Sequence, residues 1–195
     1  MRIAGIDYSI TCPALCIYDT EDAFCHKNLR FFVVKKALSR QEEKRVSDLG
    51  EWNRNIRVVR QADSENDTRR FLLTAYFFSG LIRENGVEKV FMEAYAYNGK
   101  GKVFNLAEAT GTLKLLLFLN SVPLVLFPPL FVKKTFTGKG NANKEKMISR
   151  YEDLMGVNLR EMYGVAGDFS DSPVSDIVDA AAMVYTALHG GRDVL

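Results

Sequence analysis

Asp7 stands at the end of a short apolar run, Ile3 to Ile6, and Glu93 at the end of another, Val90-Phe91-Met92. Each run reads as a buried strand that delivers one carboxylate to its C-terminal end, where an open sheet presents its site. A carboxylate in such a place is costly without a cationic partner. Taken alone, a strand-end Asp is equally explained as a turn former or a helix cap. If the two strands are neighbours, Asp7 and Glu93 lie side by side, and one stays protonated unless a cation sits between them. Asp176 and Asp179 add two acids, three apart, on one face of a final helix. The opposite face, Ile177, Ala180, Ala181 and Val184, is apolar and small, suited to lying on a sheet. On that helix alone, attraction to its positive N-terminus explains both acids equally well. The four acids together shift the balance. Hard oxygen ligands without His or Cys suit Mg²⁺ or Mn²⁺. Two such ions, about 4 Å apart, activate a water and stabilise the leaving oxygen in phosphodiester cleavage. The combination reads as a metal-dependent nuclease.

The elements that must position these acids follow from hydrophobic periodicity. Ala14 to Asp19 and Leu29 to Val34 read as two further strands, closely spaced after the first, which implies an antiparallel meander. Ile56 to Arg60 is a short strand, and Ser39 to Leu49 a short helix with Ser39 as its cap. Residues 35–60 otherwise look like an insertion or surface excursion. Asp67 to Asn85 carries apolar residues at helical spacing and closes on Asn85-Gly86. Val87 to Ala94 is then a strand, Val103 to Asn120 a long helix in which Gly111 permits close packing, and Val122 to Phe127 a strand ended by Pro128-Pro129. Ala142 to Leu154 is a helix and Gly156 to Ser170 a loop. The last helix starts at Ser172-Pro173, Ser as cap and Pro in its first turn, and ends at Gly190-Gly191. A meander followed by α/β alternation describes an RNase H-like mixed α/β sheet, three antiparallel strands then parallel ones, flanked by helices. The chain is expected to be one domain over residues 1–195. No GxGxxG or Walker loop is present.

Composition narrows the class. A chain of 195 residues, 47% hydrophobic and 26% charged, has enough apolar material for a core and is not that of a disordered protein. No apolar run is long enough to cross a bilayer, and the N-terminus enters a strand directly without a signal-peptide pattern. Cys12, Cys16 and Cys25 form no CxxC pair and suit reduced thiols in the cytoplasm. Only His26 and His189 could complete a zinc site, which argues against one. The net charge of +2 hides an uneven spread: Tyr95 to Lys146 holds 8 basic against 2 acidic residues, while the stretch from Met147 onward holds 3 against 8. A basic middle suits a polyanion such as nucleic acid, and equally a solvated lysine face.

The ordered pieces carry a resemblance. GID at Gly5 to Asp7, Glu93 after its strand, LAEATG at Leu106 to Gly111, VKKTFTGKGNANK at Val132 to Lys144, and SDIVDAAAM at Ser175 to Met183 resemble the RuvC family of Holliday junction resolvases. That family lies within the RNase H-like and retroviral integrase superfamily. Two features depart from its pattern: Tyr8-Ser9 replaces a Pro-Gly pair, and Ala96, flanked by Tyr95 and Tyr97, stands where the family carries Phe.

The resemblance implies Asp7, Glu93, Asp176 and Asp179 as metal ligands, with Lys144 against the scissile phosphate. It implies a symmetric homodimer that resolves four-way DNA junctions with two Mg²⁺ ions, Mn²⁺ substituting. Lys100 and Lys102, then Lys133, Lys134, Lys139 and Lys146, are the expected contacts to the DNA backbone, with glycines letting amides approach phosphate. Tyr95 and Tyr97 have two open roles, stacking on an unpaired base or packing on a protein surface. Other nucleases of this fold act on flaps, forks or RNA, and a non-catalytic junction-binding protein would use the same basic surface. The fold does not choose among them.

Overall fold

The computed structural model describes residues 1–35, 51–53, 55–61, 66–94, 103–159, 162 and 173–191. Among them run seven strands: β1 Arg2–Asp7, β2 Ala14–Asp19, β3 Arg30–Lys35, β4 Glu51–Asn53, β5 Ile56–Arg60, β6 Lys89–Glu93 and β7 Leu124–Phe127. Five helices accompany them: α1 Asp67–Glu84, α2 Val103–Leu119, α3 Pro129–Thr137, α4 Lys144–Met155 and α5 Val174–His189. The strands form one sheet in the order β4-β5-β3-β2-β1-β6-β7. β1, β2 and β3 are the expected antiparallel meander, and β6 and β7 join β1 in parallel.

Alternation along β1 divides its residues between two cores. Ile3 belongs to the core under α3, α4 and α5, and Ala4 and Ile6 to the core under α1 and α2. β6 alternates likewise, with Phe91 in the first core and Val90 and Met92 in the second. Asp7 and Glu93 continue the Ile3 and Phe91 phase and therefore fall on the α5 side. On α1, Phe71, Ala75, Phe78 and Ile82 supply one buried stripe, and the Asn66 side chain caps the helix by accepting from the Arg69 amide at 2.8 Å.

Four expectations need correction. Residues 35–60 do not simply leave the sheet: β5 pairs in parallel with β3, Val33 opposite Val58, and β4 pairs antiparallel with β5. The sheet thus continues by a parallel pairing on both sides of the meander. Pro128-Pro129 ends β7 but also opens α3, with Pro129 in the first turn where a missing N–H costs nothing. The N-cap of α5 is Pro173, with no side-chain capping bond. Gly111 makes no close contact within the chain and faces outward. The helix expected over Ser39 to Leu49 and most of the Gly156 to Ser170 loop lie outside the described residues. None of the described helices is long and apolar enough to cross a membrane.

Candidate active site

The site begins with strand register. Ile6 on β1 stands opposite Met92 on β6, in parallel. The next residue on each strand is Asp7 and Glu93, so both carboxylates leave the sheet at one end and toward one face. α5 crosses above them. Gly5 makes that crossing close: a Cβ there would overlap the Ala180 carbonyl and come within 2.8 Å of the Met183 Cβ. Ile177, Ala180, Ala181 and Val184 of α5 are fully buried on the sheet. Asp176 and Asp179, in the first two turns of the same helix, are thereby held over the ends of β1 and β6.

The four acids act on one another electrostatically. Burial pushes the Asp7 carboxyl well above the usual range, and Asp179, Asp176 and Glu93 push it further by repulsion. Burial, then repulsion from Glu93 and Asp176, raises Asp179 to about 7, with Lys144 and Lys133 opposing. Burial raises Glu93 as well, opposed by Lys133. Asp176 is 7% exposed, and its Oδ2 is buried with no hydrogen-bond partner among the described residues. Among those residues no three acids form a closed metal-binding cluster. What the acids share is burial and mutual repulsion, and a divalent cation relieves both. An oxygen-only donor set with one orphaned, buried carboxylate oxygen fits Mg²⁺ or Mn²⁺.

Two lysines face the acids from separate helices. Lys144 opens α4, directly after Asn143, whose side chain caps the helix by accepting from the Lys146 amide at 3.1 Å. A lysine in a first turn opposes the helix dipole, so its position needs the acids beside it. Its Nζ donates to the Ser175 Oγ at 3.4 Å, and Ser175 is 3% exposed. Lys133 is the finding that sequence reasoning missed. It was expected to bind DNA as one of a run of surface lysines. It lies on α3, close enough to Glu93 and Asp179 to oppose the rise of both. Once α3 is known to be a helix starting at Pro129, the rotation of about 100° per residue separates Lys133 from Lys134: Lys133 is half-buried and Lys134 exposed. Lys139 and Lys146 are exposed. Tyr95, Tyr97, Lys100 and Lys102 lie outside the described residues. The described structure thus brings together Asp7, Glu93, Asp176, Asp179, Lys144 and Lys133.

The chain matches known proteins along most of its length. The family model described as crossover junction endodeoxyribonuclease RuvC matches residues 59–163. That span includes Glu93 and Lys144; Asp7, Asp176 and Asp179 lie outside it, brought to Glu93 by β1 and α5. A RuvC endonuclease from Parasynechococcus marenigrum is 26% identical over 133 residues, 68% of this chain and 77% of that protein. One from Campylobacter lari is 33% identical over 103 residues, 53% of this chain and 56% of that protein. Among solved structures, Thermus thermophilus RuvC in complex with Holliday junction substrate aligns with a TM-score of 0.62 at 21% identity, covering 97% of this chain and 94% of that one. The yeast mitochondrial Holliday junction resolvase Ydc2 aligns with a TM-score of 0.50 at 15% identity, covering 94% and 75%. The fold is the RNase H-like mixed sheet of these resolvases.

Proposed function

The chain belongs to the RuvC family of crossover junction endodeoxyribonucleases, and from that premise we propose that it cuts phosphodiester bonds in branched DNA, resolving four-way junctions as a symmetric dimer. The observation that carries the reading is the β1–β6 register, which sets Asp7 beside Glu93 beneath Asp176 and Asp179. These four acids would hold two divalent ions, Mg²⁺ with Mn²⁺ substituting. When bound, the ions supply positive charge that activates water and stabilises the leaving oxygen. The acids hold those charges in place and orient them. Lys144, fixed by Ser175, stands beside Asp179 where it can meet the scissile phosphate, and Lys133 adds positive charge on the opposite helix. In-line attack by water leaves a 5′-phosphate and a 3′-hydroxyl. Lys134, Lys139 and Lys146 contact the flanking backbone without reading sequence.

The dimer reading has its own support. Phe104, Ala107, Gly111, Leu115 and Phe118 recur at spacings of three and four along the outer face of α2, and all are exposed. Phe104 is 87% and Phe118 78% exposed. Such a seam buries itself readily against a copy of the same helix, and Gly111, with open space around it, allows close approach. The whole chain acts as one domain, in the cytoplasm.

The test is cleavage of an immobile four-way junction with Mg²⁺, beside a linear duplex, a fork and an RNA–DNA hybrid. Paired symmetric nicks in the junction alone are expected. Equal cutting of fork or hybrid, without symmetry, would overturn the junction assignment and leave a broader nuclease.

A further inference from the structure

Basic charge has a second concentration in the chain, apart from the stretch that holds Lys133 and Lys144. From Lys27 to Arg60 there are 10 basic and 4 acidic residues, and β3 and β5 run through that stretch. Two antiparallel steps, β1 to β2 and β2 to β3, leave β3 parallel to β1, and β5 is parallel to β3. β1, β3, β5 and β6 therefore all end at one edge of the sheet. Asp7 and Glu93 are the last residues of β1 and β6; Lys35 and Arg60 are the last residues of β3 and β5. The register sets Asp7 opposite Ala14, Ala14 opposite Val33, and Val33 opposite Val58. Val33 and Val58 belong to the core under α3, α4 and α5. Lys35 and Arg60 follow them by two residues and pair with each other, so both fall on the face of Asp7 and Glu93. At about 4.8 Å per strand, Lys35 lies about 10 Å and Arg60 about 14 Å across the sheet from Asp7, each about 7 Å further along its strand.

Backbone bonds fix the pair in place. The Val34 amide donates to the Pro13 carbonyl at 3.0 Å, and the Gln61 amide to the Lys35 carbonyl at 2.9 Å. Lys35 is half-buried and Arg60 exposed. Tyr8 to Pro13, the segment between Asp7 and β2, carries no charged residue. A run of phosphates leaving the acids toward β3 thus crosses an uncharged loop and then meets two cations. We propose that Lys35 and Arg60 hold the phosphate backbone of one duplex arm, on the β3–β5 side of the cut. The inference rests on the nuclease reading of the acids and adds the direction in which an arm leaves them. The straight-line separation from Asp7 is roughly 12 to 16 Å. At about 3.4 Å of helix axis per nucleotide, that places the contact about three to five nucleotides from the scissile phosphate. Such contacts position the arm and read no sequence.

The experiment measures binding of a four-way junction by the full chain in metal-free buffer across a range of salt. Each phosphate contact contributes about 0.9 to the slope of log affinity against log salt, so Lys35→Gln with Arg60→Gln makes the slope shallower by about 1.8. Single methylphosphonate linkages, which are neutral, locate the contacts along each arm. With wild-type protein, a neutral linkage about three to five nucleotides from the cut mapped in Mg²⁺ weakens binding. With the double variant the same linkage has no further effect. Arg57→Gln removes an equal charge from the other face of β5, where Arg57 stands opposite Phe32, and keeps the wild-type methylphosphonate pattern. Arg60→Gln alone, with half the change in slope, carries the test should the double variant fail to fold. Wild-type protein that cuts the junction, together with Gln variants of unchanged slope or unchanged methylphosphonate pattern, overturns the arm contact alone. Wild-type protein that does not cut the junction overturns the nuclease reading and this inference with it.

Discussion

Gly5 of β1 packs so closely beneath the Ala180 carbonyl of α5 that no side chain fits between them. That contact fixes the height at which Asp176 and Asp179 sit over Asp7 and Glu93. The obstructing atom belongs to a helix backbone, so it has no rotamer to move. Gly5→Ala should therefore cost about 1–3 kcal/mol, the usual cost of overpacking a core, read as a lower Tm. At temperatures where the variant remains folded, cutting should still fall, because α5 is lifted from the strands.

Lys144 depends on a neighbour. Its ammonium donates to the buried Ser175 hydroxyl, at the start of the helix that carries Asp176 and Asp179. Ser175→Ala should lower kcat roughly tenfold, a modest share of what one positioned charge contributes, with little change in Tm. Ser175→Thr, which keeps the hydroxyl, should recover most of the rate. Equal rates for all three proteins would show that Lys144 finds its position without Ser175.

Acid titration gives a prediction with a definite sign. Asp7 and Asp179 hold their protons to higher pH when folded than the ordinary carboxyl value of 3.8, Asp179 to about 7. Between about pH 4 and about pH 7 the native protein binds protons that the unfolded chain has released, so metal-free stability should fall as pH rises. A divalent cation replaces those protons. At 100 times its Kd, Mg²⁺ should add about 2.7 kcal/mol, or roughly 5–10 °C for a chain of this size. Melting curves should show a larger Mg²⁺ effect at pH 8 than at pH 6. A metal effect independent of pH would place the ion elsewhere.

The exposed seam on α2 should govern association. Phe118→Glu puts a charge at one end of it without touching either core. Sedimentation should show wild-type dimer and variant monomer. On a four-way junction the variant should give single, unpaired nicks. A variant that remains dimeric would move the interface to another surface.

Much of this was legible in the sequence, for physical reasons. β1, β2, β3, β6, α1, α2 and α5 each carry their own periodicity, and the acids stand at strand ends or at helical spacing, where local pattern is enough. What escaped depends on contacts distant in the chain. β5 pairs with β3 across residues that carry no local sign of that partnership. α3 escaped because two prolines read as a stop, although the second is well placed at a helix start. With α3 unseen, Lys133 could not be told from Lys134, and its approach to Glu93 and Asp179 was hidden. Gly5 was legible as part of a motif, but its role as the seat of α5 was not, since only packing reveals it.

The most direct measurement compares wild-type protein and Asp7→Asn on a four-way junction, scoring binding without metal and cutting with Mg²⁺. If Asp7 holds a catalytic ion, the variant should fold, bind the junction as tightly as the wild type, and fail to cut. Cutting at the wild-type rate would contradict a metal site built on Asp7. Loss of binding in a variant with an unchanged melting curve would contradict it as well, and would make Asp7 part of the DNA contact surface.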